Sequence, residues 1–121
     1  IFPNYLQGAP ERPDWLFNLS NDAWFGETSG PAQHLIQSRY RSIETGLPMV
    51  RTAVRGISGV IDPFGRMPVS IDRLDEGAHD VSLPLSINAT PYVRWGDLPF
   101  WMICLGIFAG IFGMRRFGEH E

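Results

Sequence analysis

The sequence predicts an α/β domain followed by one apolar helix, and three observations carry that prediction. A short aromatic run, Trp15-Leu16-Phe17, precedes a polar turn and then a stretch of helical periodicity, which is the order strand, loop, helix. Short runs rich in β-branched residues follow between 49 and 71, separated by turns that contain Gly or Pro. Residues 98–114 then carry no charge at all, and as a helix they would extend about 25 Å.

The first strand is placed near 14–19, buried by its aromatic run. Ser20, Asn21 and Asp22 have short polar side chains that bond neighbouring backbone, so they end the ladder and start a turn. Trp24 and Phe25 stand in that turn, before Gly26. Two bulky rings in a polar loop either plug the end of a core or line a pocket. Ser29-Gly30-Pro31 is a helix start, with a small capping residue and then Pro at the first helical position. Leu35, Ile36, Tyr40 and Ile43 recur at helical spacing over about 31–45, and Gly46 and Pro48 close the helix. The aromatic loop therefore lies at the C-terminal end of a strand, where layered α/β proteins commonly place ligands.

Strands are expected at 49–54 and 58–61. Asp62-Pro63-Phe64-Gly65-Arg66 is a turn, and 67–71 returns as a hairpin partner, held to an edge or a strand start by Pro68. Residues 79–83 alternate like a half-buried strand, 86–92 are loop, and 1–13 are loop. For 98–114 the alternatives are a buried core helix and a transmembrane helix. Apolar residues ring every face, Trp95 and Trp101 lie at one end and Arg115-Arg116 at the other, which favours the membrane. The arginines then put the C-terminus in the cytoplasm and residues 1–97 outside. The expected division is 1–97 domain, 98–114 transmembrane helix, 115–121 cytoplasmic tail.

Composition narrows the chemistry. The 121 residues carry a net charge of −3 without a block of like charge, so no nucleic-acid partner is indicated. Every basic residue is Arg, and there is no Lys. The single cysteine, Cys104, lies within the apolar run, where a thiolate is disfavoured. His34, His79 and His120 lack ligand spacing, and no Gly-rich phosphate loop or Ser–His–Asp set is present, so no metal or cofactor is called for. His34 falls in the first turn of the helix, either meeting a ligand or supporting the residues that do. The free N–H groups of that helix end suit an anion. Arg41 and Glu44, three apart, form either a surface pair or a buried orienting pair.

The segments Ser20-Asn21-Asp22-Ala23-Trp24-Phe25-Gly26, Gly30-Pro31-Ala32-Gln33-His34, Arg39-Tyr40-Arg41-Ser42-Ile43-Glu44, Pro48-Met49-Val50-Arg51 and Gly56-Ile57-Ser58-Gly59-Val60-Ile61-Asp62 resemble the apolipoprotein N-acyltransferases, the membrane-embedded branch of the nitrilase (carbon–nitrogen hydrolase) superfamily. The resemblance covers essentially the whole chain. It implies the C-terminal part of a nitrilase-type α-β-β-α sandwich, followed by one transmembrane helix, in a bacterial inner membrane with the domain on the periplasmic side. It implies a phospholipid acyl donor, a lipoprotein acceptor and a monomer when full length.

The family works through a thioester on a Cys, with a Glu as base and a Lys at the tetrahedral intermediate. The resemblance places all three ahead of Ile1, so this stretch alone is expected to be inactive. It is also expected not to form a soluble monomer. By resemblance Asn21, Trp24 and Phe25 line the catalytic site or its acyl entrance, with His34 and Glu44 behind them. Val54 departs from the family pattern, which usually has Asn there. A membrane-anchored amidase and a non-catalytic membrane-tethered domain are the competing readings.

Overall fold

The computed structural model describes Leu6 and residues 11–118, with side chains described as far as Phe112. Expectations for Ile1-Phe2-Pro3, for most of the loop before 11, for the 115–121 tail with its two arginines and for His120 fall outside the described side chains. The chain divides into two units, 1–90 and 91–121.

In the first unit β1 (Leu16–Asn21) leads through a 3-10 turn (Ala23–Phe25) into helix α1 (Gly30–Thr45), which returns the chain to β2 (Met49–Val54). β3 (Ser58–Ile61) and β4 (Val69–Ile71) complete a four-stranded sheet in the order β1-β2-β3-β4. β1 and β2 are parallel, with Leu16 opposite Met49 and Asn21 opposite Val54. The helical crossover makes this possible, because parallel neighbours need a long connection. β3 and β4 follow antiparallel, and β4, which begins just after Pro68, ends the row of four strands.

The core is small: Leu16, Leu47, Met49 and Ile61 are buried, with Leu6, Leu35 and Met67 packed against them. α1 does not bury most of its apolar repeat. Ile36, Tyr40 and Ile43 are exposed, and the buried helix positions are Pro31, Ser38, Ser42 and Thr45. Small hydroxyl side chains allow close approach. Ser38 and Thr45 satisfy their hydroxyls on the carbonyls of His34 and Arg41, at 3.2 and 2.6 Å, the i−4 back-bond open to them in a helix.

The ends of α1 follow the sequence in part. Ser29 occupies the N-cap position without a side-chain capping bond. Gly46 takes φ +69° and sends its N–H to the Ser42 carbonyl at 2.8 Å, the left-handed closure that glycine permits. Arg12 reaches across to the carbonyls of Thr45 and Ile87, at 2.9 and 2.8 Å, a cation at the negative end of the helix. The 62–66 turn is held by Asp62, whose Oδ1 accepts the N–H groups of Phe64 and Arg66 at 2.9 and 2.8 Å.

Three local expectations are corrected. β1 continues through Ser20 and Asn21, because β2 supplies a parallel partner for each. Of its leading run only Leu16 is buried, Trp15 and Phe17 being exposed. Residues 79–83 form no strand, since alternation without a paired neighbour gives no ladder.

In the second unit, the region expected as loop up to 92 ends in a short helix α2 (Pro91–Trp95), closed by Gly96 at φ +54°. The uncharged run forms α3 (Leu98–Gly118). Its described side chains Phe100, Trp101, Met102, Ile103, Leu105 and Phe108 are exposed, and Cys104 lies among them, partly covered. The transmembrane expectation is corrected in one respect: among the described residues no helix is long and apolar enough to cross a membrane. A hydrocarbon core of about 30 Å needs roughly 20 apolar residues.

Candidate functional site

At the C-terminal ends of the parallel strands β1 and β2 lies a buried polar cluster. Asp22, the first residue after β1, is fully buried, and so is the Arg51 side chain from the middle of β2. Arg51 Nη2 donates to Asp22 Oδ2 at 2.7 Å. The rest of the guanidinium is also used: Nη1 donates to Asn18 Oδ1 at 2.5 Å and to Ser38 Oγ at 2.9 Å, and Nε donates to the Ile57 carbonyl at 3.2 Å. Asn18 faces Arg51 because they are register partners.

The other Asp22 oxygen is taken as well. Ser20 Oγ donates to Oδ1 at 2.6 Å, and His34 Nδ1 lies 2.7 Å from it. A carboxylate only accepts, so this contact puts the proton on Nδ1. Burial pushes the Asp22 carboxyl up; the hydrogen bonds from Ser20 and His34 and the charge of Arg51 outweigh that, and the net result lies below the ordinary carboxyl value. Gly56 closes the cluster from the side. A Cβ there would stand 2.3 Å from Asp22 Oδ2.

Upon this cluster stands the aromatic turn. The Asp22 N–H donates to the Val54 carbonyl at 2.9 Å, and the Phe25 N–H donates back to the Asp22 carbonyl at 3.1 Å. Asn21 Oδ1 accepts the Ala23 N–H at 3.1 Å, so Asn21 shapes the turn. Phe25 is 42% exposed. Its ring lies edge-on to His34, with centroids 5.9 Å apart, and against the Cα of Gly30. Trp24 is 85% exposed.

The structure thus gathers Asn21, Trp24, Phe25 and His34 at one end of the sheet. Glu44 is elsewhere, in the last turn of α1 and about 15 Å along the helix axis from His34. There it pairs with Arg41 at 2.7 Å, both side chains partly covered. A cavity of about 150 Å³ on β2–β4, lined by residues including Val50, Thr52, Val69 and His79, contains none of these five. Among the described residues no cluster suits a metal ion.

Sequence reasoning missed Asp22, Arg51, Asn18 and Ser38 as a unit. One signal was present: an arginine inside the apolar strand Met49–Val54 needs a buried partner.

Residues 2–91 match the carbon–nitrogen hydrolase family. The chain is 54% identical over 99 residues to an apolipoprotein N-acyltransferase of Bradyrhizobium diazoefficiens, covering 82% of this chain and 18% of that protein. It is 50% identical over 99 residues to one of Rhodopseudomonas palustris, with the same coverage. It is 37% identical over 118 residues to one of Rhizobium rhizogenes, covering 98% of this chain and 22% of the relative. The chain therefore spans about a fifth of the length of these relatives. The family match takes in most of the chain, so this chain belongs to the carbon–nitrogen hydrolase family.

Proposed function

We propose that this chain is part of a membrane acyltransferase that moves a fatty acyl chain from a phospholipid to the N-terminal amino group of a lipoprotein. The relatives bearing the name apolipoprotein N-acyltransferase support this reading. The chain spans about a fifth of these relatives, and the reactive Cys, the Glu base and the Lys are assigned to the rest of the protein. The Cys thiolate attacks the ester carbonyl of the lipid, the C–O bond breaks, and the lysophospholipid leaves with a proton. The acceptor amine then attacks the thioester, the C–S bond breaks, and the base takes the amine proton.

This chain's share is the pocket wall. Asn21, Trp24 and Phe25 form it, His34 steadies it from behind, and Glu44 braces the far end of α1. The observation that carries the reading is the pair of exposed rings on a turn fixed by a fully buried carboxylate. An apolar group held out from a rigid base suits an acyl chain.

Two further exposed surfaces fit the whole protein. Phe17, Leu19 and Val54 are 60, 71 and 58% exposed on one sheet face, and a sheet buries such a face against another layer. The second sheet of an α-β-β-α sandwich is assigned to that face. The apolar side chains of α3 suit the lipid phase or neighbouring helices of an inner-membrane protein.

In the full-length protein Trp24→Ala should lower the rate of acyl transfer at least tenfold while shifting the melting temperature little, because Trp24 buries almost nothing. Unchanged turnover in a folded variant would defeat the wall assignment.

A further inference from the structure

We propose that Arg55 binds the phosphodiester of the lipid donor at the rim of the site, an inference that rests on the acyl transfer proposed above. Arg55 is the one non-glycine residue with positive φ among the described residues, at +52°. A left-handed backbone costs a residue with a Cβ about 1 kcal/mol. The turn it occupies is closed by the Gly56 N–H on the Ala53 carbonyl at 3.2 Å, and Gly or Asn would adopt it with less strain. Nothing in the turn itself requires arginine.

The guanidinium is also unoccupied. Arg12, Arg39, Arg41, Arg51 and Arg66 each hold a carbonyl or a carboxylate. Arg55 is exposed and has no hydrogen bond, ion pair or ring partner among the described residues. Asp22, whose Oδ2 lies against Gly56, the next residue in the chain, does not compete for it. Both Asp22 oxygens are already engaged, one by Ser20 and His34 and one by Arg51.

Its position links it to the wall. Val54 is the register partner of Asn21, and its carbonyl accepts the Asp22 N–H. Arg55 therefore leaves the sheet at the same end as the turn bearing Trp24 and Phe25. A strained cation without a partner among the described residues, at the same end of the sheet as exposed aromatic rings, is complementary to a molecule with an acyl chain and one anionic group. The planar fork of arginine matches phosphate oxygens two at a time.

The test uses the full-length protein, a lipopeptide amine as acceptor and two donors of equal acyl length: a phospholipid and a phosphate-free activated ester. Arg55→Gln should raise KM for the phospholipid about tenfold, the scale of one lost charge-assisted contact. Its kcat, and KM for the phosphate-free ester, should change less than about twofold by the same reasoning. Arg55→Lys should recover part of the loss, and Arg55→Asn should melt no lower than the wild type while showing the same KM defect. An unchanged phospholipid KM in Arg55→Gln, or an equal rise for both donors, overturns the proposal. Inhibition of the wild type by inorganic phosphate, lost in Arg55→Gln with phospholipid KM unaltered, would assign the site to free phosphate and overturn the headgroup. Absence of any transfer from phospholipid by the wild type would instead defeat the acyltransferase reading itself.

Discussion

Asp22 and Arg51, 29 positions apart in the chain, meet at 2.7 Å with both side chains removed from solvent. The pair joins the end of β1 to the middle of β2, and through Ser38 and His34 it holds α1 to the same point. Burying two charges is costly, and their attraction offsets the cost only where the remaining donors and acceptors are satisfied. Here every donor atom of the guanidinium and both carboxylate oxygens have partners. The cluster is rigid, and the aromatic turn rises directly from it.

Breaking the pair should be asymmetric. Arg51→Met leaves the Asp22 carboxylate buried with only Ser20 and His34, and should cost about 3–5 kcal/mol in the full-length protein. Asp22→Asn leaves Arg51 with Asn18, Ser38 and the Ile57 carbonyl, and should cost less. A double-mutant cycle by denaturant unfolding should give a coupling energy above about 1 kcal/mol. Additive effects would show that the two side chains do not act as a pair.

The acid limb of stability should carry the mark of Asp22. Its carboxyl is held below the ordinary value, so its contribution is fully present above the unfolded value of about 3.9. That contribution is lost as pH falls through the lower folded value. Asp62, lowered by the hydrogen bonds and charge of Arg66 and the Phe64 N–H despite burial, adds a loss of the same sign. Melting temperatures of the full-length protein between pH 7 and pH 3 should therefore fall at the acid end. The fall should be shallower in Asp22→Asn, and parallel curves would contradict the assignment.

Gly56 tests how closely the cluster is packed. In Gly56→Ala the new Cβ would lie 2.3 Å from Asp22 Oδ2 and 2.8 Å from the Ala53 Cβ. The buried backbone and the ion pair must then shift, at a cost of about 1–3 kcal/mol. Gly77→Ala has nothing within 4 Å of its Cβ and should stay within about 0.5 kcal/mol of the wild type. Equal melting temperatures for the two variants would show that the region around Asp22 yields easily.

Much of the local structure was legible in the residues. Gly46 as helix closure, the Asp62 turn and Pro68 beside an edge strand each depend on one residue and its immediate neighbours. The family motifs were legible for the same reason, since each is a short contiguous string. The helix itself was legible from Leu35, Ile36, Tyr40 and Ile43, but its buried face was not, because the sheet takes the Ser38 and Ser42 side. Residues 79–83 were misread because alternation records a strand's faces and not whether a partner exists.

By itself the sequence determined the order of strand, aromatic turn and helix, the apolar character of 98–114, and membership of a family. All three are properties of neighbouring residues and of their periodicity. Only the tertiary structure decided that Asp22, Arg51, His34 and Asn18 share one buried site, that Glu44 stands apart from it, and that Arg55 leaves the sheet at the same end as the turn bearing Trp24 and Phe25. Those facts follow from the parallel register of β1 and β2 across a helical crossover. That register brings together residues from distant parts of the chain, which no local pattern of side chains encodes.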